Sequence, residues 1–278
     1  MERCDDPGMT PVDAAVRAAK EAGELLLSYF GTFDPSWVEE KSKNDVVSRA
    51  DRESEELCRR ILLDAFPGDR FLGEESGVSG ETETAPAWIV DPLDGTANFV
   101  RGFPHWCVSI GRTGGGLLGE LQVGVVWDPV KKDLFVAEVG AGAFRNGSRI
   151  RVPERPGLDG AALATGFPFR NQARIDVYLT VFREAFLRVR SLRRAGSAAL
   201  DLAYTAAGIF DGFFEFGLSA WDSAAGAVLV REAGGRITDF DGLGAWRRTG
   251  NIVAGSPGVH AALVALSKEL GVTEAELR

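Results

Sequence analysis

The segment Trp88-Ile-Val-Asp91-Pro-Leu-Asp94-Gly95-Thr96-Ala-Asn98-Phe constrains this chain more than any other. The apolar run before it, Ala87 to Val90, is the length of one buried strand; Asp91 closes it and the proline forces a turn. Asp94-Gly95-Thr96 then reads as the opening of a short helix. Two carboxylates three residues apart across such a turn can converge on one point. Gly95 lets a ligand approach the backbone, and the amides that follow form a helix start suited to a phosphate. For an isolated D-x-x-D-G-T pattern a structural reading stands beside this one, with Asp94 as a helix cap and Asp91 as a strand-end turn residue.

The flanking sequence reads as alternating strands and helices. Thr10-Pro11 with Asp13 has the form of an N-cap, a first-turn proline and a capping-box acid. Val12, Val16, Ala19, Gly23, Leu26 and Phe30 then mark one apolar helix face, closed by Gly31. A second helix is expected from Arg49 to Phe66, with Leu57, Ile61, Leu62 and Ala65 inward and Pro67-Gly68 as its stop. Strands follow at Arg70–Leu72 and Ala87–Val90. A meander is expected from Trp106 to Phe144, with Gly114-Gly115-Gly116, Asp128-Pro129 and Asn146-Gly147 as turn signals. Beyond a polar loop, strands are expected at Ala162–Thr165, Arg190–Leu192, Gly212–Phe216 and Ile252–Ala254. Helices are expected at Asn171–Leu187, Ala198–Ala207, Trp221–Ala233 and Val259–Leu270. This is an α/β pattern of sheets layered between helices. No repeat or linker interrupts it, so a single domain over residues 1–278 is expected.

Charge narrows the function. With 40 acidic against 31 basic residues the formal net charge is −9, which argues against a nucleic-acid coat or an anionic-membrane partner. The N-terminal stretch lacks the apolar core of a signal peptide, and no run approaches the ~20 apolar residues of a membrane span. Three widely spaced cysteines suit a reducing, cytoplasmic setting. Only two histidines exist, His105 and His260, so any chemistry falls to carboxylates, hydroxyls and backbone amides.

Three further acids sit at element ends. Glu74-Glu75 follows Phe71-Leu72-Gly73, Asp222 opens an apolar helix, and Asp51 starts the second helix. Each has a structural alternative: solvated surface for the glutamates, helix capping for Asp222, a capping-box acid for Asp51. Taken with Asp91 and Asp94, they lie where open α/β sheets present ligands. All are hard oxygen donors, which selects Mg²⁺ or Mn²⁺ over zinc or copper.

Gly73-Glu74-Glu75-Ser76, Asp91-Pro-Leu-Asp94-Gly95-Thr96 and Trp221-Asp222-Ser-Ala-Ala-Gly226 together resemble the ordered motif set of the inositol monophosphatase family. Thr165-Gly-Phe-Pro-Phe169 and Arg193-Arg194-Ala-Gly196-Ser197-Ala198-Ala199-Leu200-Asp201 extend the likeness toward its bacterial inositol-1-monophosphatase branch. The resemblance implies an α-β-α-β-α sandwich shared with fructose-1,6-bisphosphatase, a homodimer, and two or three Mg²⁺ ions, with Mn²⁺ as substitute. It implies hydrolysis of a small phosphate monoester, inositol monophosphate, by water without a covalent intermediate, and sensitivity to lithium.

Carried over by position, Glu74, Asp91 and the Leu93 carbonyl resemble the ligands of a first metal; Asp91, Asp94 and Asp222 resemble those of a second. A third would sit by Glu74 with Asp51 nearby through water. Thr96 would orient the attacking water, the Gly95 and Thr96 amides would hold phosphate, and Asp94, Ala198, Glu215 and Asp222 would contact substrate. Five carboxylates at −1 each against three ions at +2 would leave the pocket locally positive, which reconciles an acidic protein with an anionic substrate. The family's mobile loop carries a lysine before the segment matching Asn44-Asp45-Val46-Val47, a role for which both Lys41 and Lys43 are placed. Other phosphatases of this fold, acting on fructose-1,6-bisphosphate, 3′-phosphorylated nucleotides or histidinol phosphate, share the metal site. A regulatory binding protein that keeps the fold is a further alternative.

Overall fold

The computed structural model describes residues 8–32, 38–42, 45–169, 171–274 and 277, and for 38–42 and 45–48 the backbone alone. Helix α1 (Pro11–Tyr29) begins as its sequence demands: the Asp13 amide donates to the Thr10 hydroxyl at 3.1 Å and the Thr10 amide donates back to Asp13 at 3.1 Å. Strands β1 (Val38–Ser42) and β2 (Asp45–Ser48) pair antiparallel as a hairpin that runs directly into α2 (Arg49–Ala65). That hairpin coincides with the expected lysine-bearing loop. Lys43 and Asn44, and the side chains of Lys41 and Asp45, lie outside the described residues.

Next come β3 (Arg70–Gly73), β4 (Gly77–Ser79), β5 (Ala87–Asp94), the short α3 (Thr96–Val100), β6 (Cys107–Thr113), β7 (Leu121–Asp128), β8 (Asp133–Glu138), β9 (Gly142–Arg145) and β10 (Ser148–Arg149). They form an eight-stranded sheet in the order β10-β9-β8-β7-β6-β5-β3-β4, antiparallel except for the β3–β5 pair. The second half contributes β11 (Ala162–Thr165), α4 (Ile175–Arg188), β12 (Ser191–Arg193), α5 (Ala198–Ala206), β13 (Gly212–Glu215), α6 (Ala220–Glu232), β14 (Arg236–Thr238), α7 (Trp246–Thr249), β15 (Ile252–Gly255) and α8 (Pro257–Glu269). Its five strands order as β12-β11-β13-β15-β14.

The strands' two-residue alternation stacks these elements. On β5, Trp88 and Val90 join the core beneath α1 and α2, while Ile89 faces the opposite core with α5 and α6. On β13 and β15, Phe213, Ile252 and Ala254 face that same middle layer, and Phe214 and Val253 face α4 and α8. The order of layers is therefore helices α1 and α2, the large sheet, helices α5 and α6, the small sheet, and helices α4 and α8, the α-β-α-β-α sandwich.

The middle layer is thin because its residues are small. A Cβ on Gly124 of β7 would lie 2.3 Å from the Ala225 carbonyl oxygen, and one on Gly226 would lie 2.5 Å from Leu202 Cβ. Helix α6 thus presses against the large sheet on one side and α5 on the other, which fixes its N-terminus and with it Asp222.

Candidate active site

In a regular strand, residues three apart point to opposite faces. Asp91 and Asp94 escape that rule through a bulge. Strand β5 does not end at Asp91, as the proline suggests, but runs on to Asp94. Asp91 pairs with Ser109 and Asp94 with Cys107, so β5 spends one residue more than β6 over this step. The extra residue inverts the phase and returns both carboxylates to one side. Proline fits there because a bulge removes the need for its N–H. The Leu93 amide donates to Asp91 Oδ1 at 3.0 Å and holds the carboxylate in place.

The N-terminus of α6 delivers the third acid. Asp222 Oδ2 accepts the Ser219 amide at 2.7 Å, so the capping role is real, and the same carboxylate reaches Asp91 and Asp94. One oxygen from each of the three lies within 4.8 Å of the others, all buried. Glu74, at the turn after β3, joins them around a cleft of about 190 Å³ that Leu93, Gly95 and Thr96 also line. Gly95 holds a left-handed φ of +99°, and a Cβ there would meet the His105 carbonyl at 3.0 Å; no other residue fits this turn.

One face of α2 secures the rest. Residues 51, 54 and 55 fall on the same side of a helix. Asp51 Oδ1 accepts the Thr96 hydroxyl at 3.0 Å, and that hydroxyl also lies 3.1 Å from the Leu93 carbonyl. Ser54 donates to the Pro92 carbonyl at 3.0 Å. The Glu55 carboxylate accepts the amides of Glu75 and Ser76, each at 2.8 Å. A Cβ on Gly73 would sit 2.3 Å from that carboxylate, so the glycine of Gly-Glu-Glu-Ser makes room for it.

The electrostatics are those of a site built for a cation. Burial, then the charges of Glu74, Asp94 and Asp222, push the Asp91 carboxyl far above the ordinary carboxylate range. Burial and Asp222 push Asp94 up to about 7, although Ser197 Oγ at 2.6 Å and the Ala199 amide at 2.7 Å donate to its Oδ2 and pull the other way. Like charges this close, taken out of water, stay ionised at neutral pH only if a positive charge joins them. The donors are all hard oxygens, so the residues fit Mg²⁺ or Mn²⁺.

The sequence model of the inositol monophosphatase family matches residues 9–271. The chain belongs to that family. Among its relatives, Nus factor SuhB of Pseudomonas aeruginosa is 46% identical over 257 residues, covering 91% of this chain and 94% of that one. Among solved structures, extragenic suppressor protein suhB from Bartonella henselae superposes with a TM-score of 0.86 at 41% identity, covering 92% of this chain and 98% of that one. The Thermotoga maritima IMPase superposes with a TM-score of 0.85 at 33% identity, covering 97% and 100%.

Within this inositol monophosphatase framework, Glu74, Asp91, Leu93, Asp94, Gly95, Thr96, Glu215 and Asp222 all line one cleft. Asp51 sits behind Thr96, and Ala198 lines a recess beside the cleft with Asp94 and Glu215. His105 and His260 take no place in the cleft. Burial lowers both to about 4, and His260 Nε2 lies 2.8 Å from the Thr238 hydroxyl. Cys58 and Cys107 are buried thiols, as small apolar residues would be.

Sequence reasoning missed Ser54, Glu55 and Ser197 as site residues. The spacing Asp51, Ser54, Glu55 on one helix face was the available signal for the first two. For Ser197 the signal was its position as N-cap of α5, whose open amides need an anion such as Asp94.

Proposed function

We propose that this chain is a Mg²⁺-dependent phosphatase that hydrolyses myo-inositol monophosphates to inositol and phosphate. The observation that carries the reading is the buried convergence of Asp91, Asp94 and Asp222 beside the Gly95-Thr96 turn. Asp91, Asp94 and Asp222, with Glu74 and the Leu93 carbonyl, would hold the ions. Bound Mg²⁺ supplies Lewis acidity toward water and positive charge for the phosphoryl group.

The chain's own residues do the rest. Because the Thr96 hydroxyl donates to Asp51, its lone pairs remain to accept a hydrogen bond from the attacking water and orient it. A proton released by that water can pass through Thr96 Oγ1 to Asp51. Gly95 and Thr96, at the start of α3, turn toward the phosphate. Ala198 and Glu215 flank the alcohol side, where the Glu215 carboxylate accepts hydrogen bonds from hydroxyls. No side-chain nucleophile is needed, consistent with the absence of histidine from the cleft.

Phosphate release from myo-inositol 1-phosphate, fructose-1,6-bisphosphate, a 3′-phosphorylated nucleotide and histidinol phosphate tests this, with Mg²⁺ and with EDTA. Metal-dependent turnover favouring the inositol ester is expected; preference for another ester reassigns the substrate, and no metal-dependent turnover of any ester overturns the reading.

The relatives' name, Nus factor SuhB, names no hydrolysis and supports a second reading, a regulatory binding protein that keeps the fold and does not depend on its chemistry. A host lacking this protein and rescued fully by a turnover-deficient Asp94→Asn chain would favour that reading; rescue by the wild type alone would oppose it. We also propose a homodimer. Ile175, Leu179 and Phe186 form an exposed apolar stripe on α4 that a second copy would cover, and sedimentation velocity reads the mass directly.

A further inference from the structure

Strands β13 and β15 pair antiparallel as far as Glu215 and Ile252, and there the ladder ends. Phe216 and Gly217, just past it, form part of the cleft wall, and the chain then turns into α6 and Asp222. Three successive amides fix that turn. The Gly217 amide donates to Asn251 Oδ1 at 3.1 Å, the Leu218 amide to the Gly250 carbonyl at 2.9 Å, and the Ser219 amide to Asp222 Oδ2 at 2.7 Å. Gly250 holds a left-handed φ of +71°, and a Cβ on it would collide with the Leu218 backbone, so the two segments touch without side chains between them.

Asn251 is itself held. It is 1% exposed, its Nδ2 donates to Glu274 Oε2 at 2.8 Å, and its Oδ1 also accepts Arg174 Nη1 at 3.3 Å. Glu274, in the segment after α8, is buried too; its Oε1 accepts the Phe240 amide at 3.4 Å and its own amide donates to Asp241 Oδ2 at 3.3 Å. An N–H on one side and a carboxylate on the other leave Asn251 a single orientation. Aspartate only accepts and leucine does neither, so neither could serve both partners.

A buried amide with its polar groups committed is a rigid brace. Displacing Gly217 and Leu218 would move Ser219, the N-cap of α6, and with it the carboxylate that the Ser219 amide holds. Asn251 and Glu274 do not line the cleft, so whatever they contribute there passes through this turn.

We propose that Asn251, oriented by Glu274, is a positioning residue that sets Asp222 and the cleft wall at Phe216 and Gly217 for metal binding. This rests on the metal site of the phosphatase reading above. It extends that reading by making the segment after α8 part of what holds the site in register.

The test exchanges the partners. Asn251→Asp removes the donor to Glu274 and sets two carboxylates face to face. Adding Glu274→Gln restores one donor and one acceptor with their roles reversed. Calorimetric titration with Mn²⁺, well below the lowest melting temperature of the set, reads affinity in folded protein. The affinity of Asn251→Asp is expected to fall about 10-fold or more, the scale of a group that orients a metal ligand from behind. The double variant is expected to recover most of that loss. Glu274→Ala leaves Asn251 Nδ2 without its acceptor and should weaken Mn²⁺ binding in the same direction; it decides alone if Asn251→Asp does not fold.

A variant that melts lower yet binds Mn²⁺ as tightly as the wild type overturns the proposal and leaves Asn251 a packing residue. A loss in Asn251→Asp that the double variant does not recover also overturns it, since Glu274 would then not set the orientation. Mn²⁺ binding by the wild type keeps the metal site of the phosphatase reading intact in both cases; a wild type that binds none would sink both.

Discussion

The Thr96 hydroxyl donates to Asp51 Oδ1 at 3.0 Å, joining the start of α3 to the first turn of α2 across 45 residues of sequence. Thr96→Ala should lower turnover by about 10²-fold, the scale of a residue that positions a proton-transfer partner. Asp51→Asn should cost a similar factor, and the double variant little more, because the two act as one unit. Steady-state kinetics at saturating Mg²⁺ on the three folded variants reads this; additive losses would separate the residues.

Asp94→Asn should abolish nearly all turnover while the metal-free protein melts no lower than wild type at pH 8. Asparagine keeps an oxygen for Ser197 Oγ and the Ala199 amide but removes a charge that Asp222 repels. A gain of ~1 kcal/mol would raise Tm by about 2–4 °C in a chain of this size. Near-normal activity in calorimetrically folded protein would remove Asp94 from the site.

The pH dependence of the metal-free protein has a determined sign. Asp94, at about 7 when folded against 3.8 ordinarily, binds its proton more tightly in the native state, so its contribution to stability is lost as pH rises through about 7. Asp91 is shifted in the same direction. His105 and His260, lowered to about 4, act oppositely, but only below the ordinary 6.5. Tm should therefore fall between pH 6.5 and 8 without metal, and saturating Mg²⁺ should flatten that fall. Melting curves across this window, with EDTA and with Mg²⁺, check it.

Much of the fold was legible because local chemistry and tertiary packing agree. The Thr10 capping box, the span of α2 and the apolar strands Ala87–Val90 and Ala162–Thr165 all follow from caps, stops and periodicity. Helix α4 starts at Ile175 rather than Asn171, since a 3₁₀ turn precedes it. The strands Gly77–Ser79 and Arg236–Thr238 and the one-turn helix Trp246–Thr249 were not legible, being too short to show a period. The acids of the site could be read because each stands at the end of an element. The β5 bulge could not, because the same proline signals a strand end or a bulge, and only the pairing with β6 decides. Glu55 stayed hidden for a different reason: its partners are backbone amides 20 and 21 residues away, and amides carry no sequence signature.

Glu55→Ala should weaken metal binding at Glu74 without touching any proposed ligand. Losing two charge-assisted bonds that hold the Glu75 and Ser76 amides should cost about 1.5–3 kcal/mol of local stability. Calorimetric titration with Mn²⁺ should show lower affinity; affinity equal to wild type would limit Glu55 to the fold.

Gly124→Ala should destabilise the protein by about 1–3 kcal/mol, because the added Cβ would lie 2.3 Å from a backbone oxygen of α6. Displacing α6 also moves Asp222, so activity should fall at temperatures where the variant remains folded. Chemical denaturation and residual turnover measure the two effects separately.

Anomalous diffraction from crystals grown in Mn²⁺ tests the central claim most directly. The account predicts at least one strong manganese peak among the carboxylates of Asp91, Asp94 and Asp222. Well-ordered crystals at saturating Mn²⁺ with no peak among these three side chains would contradict it.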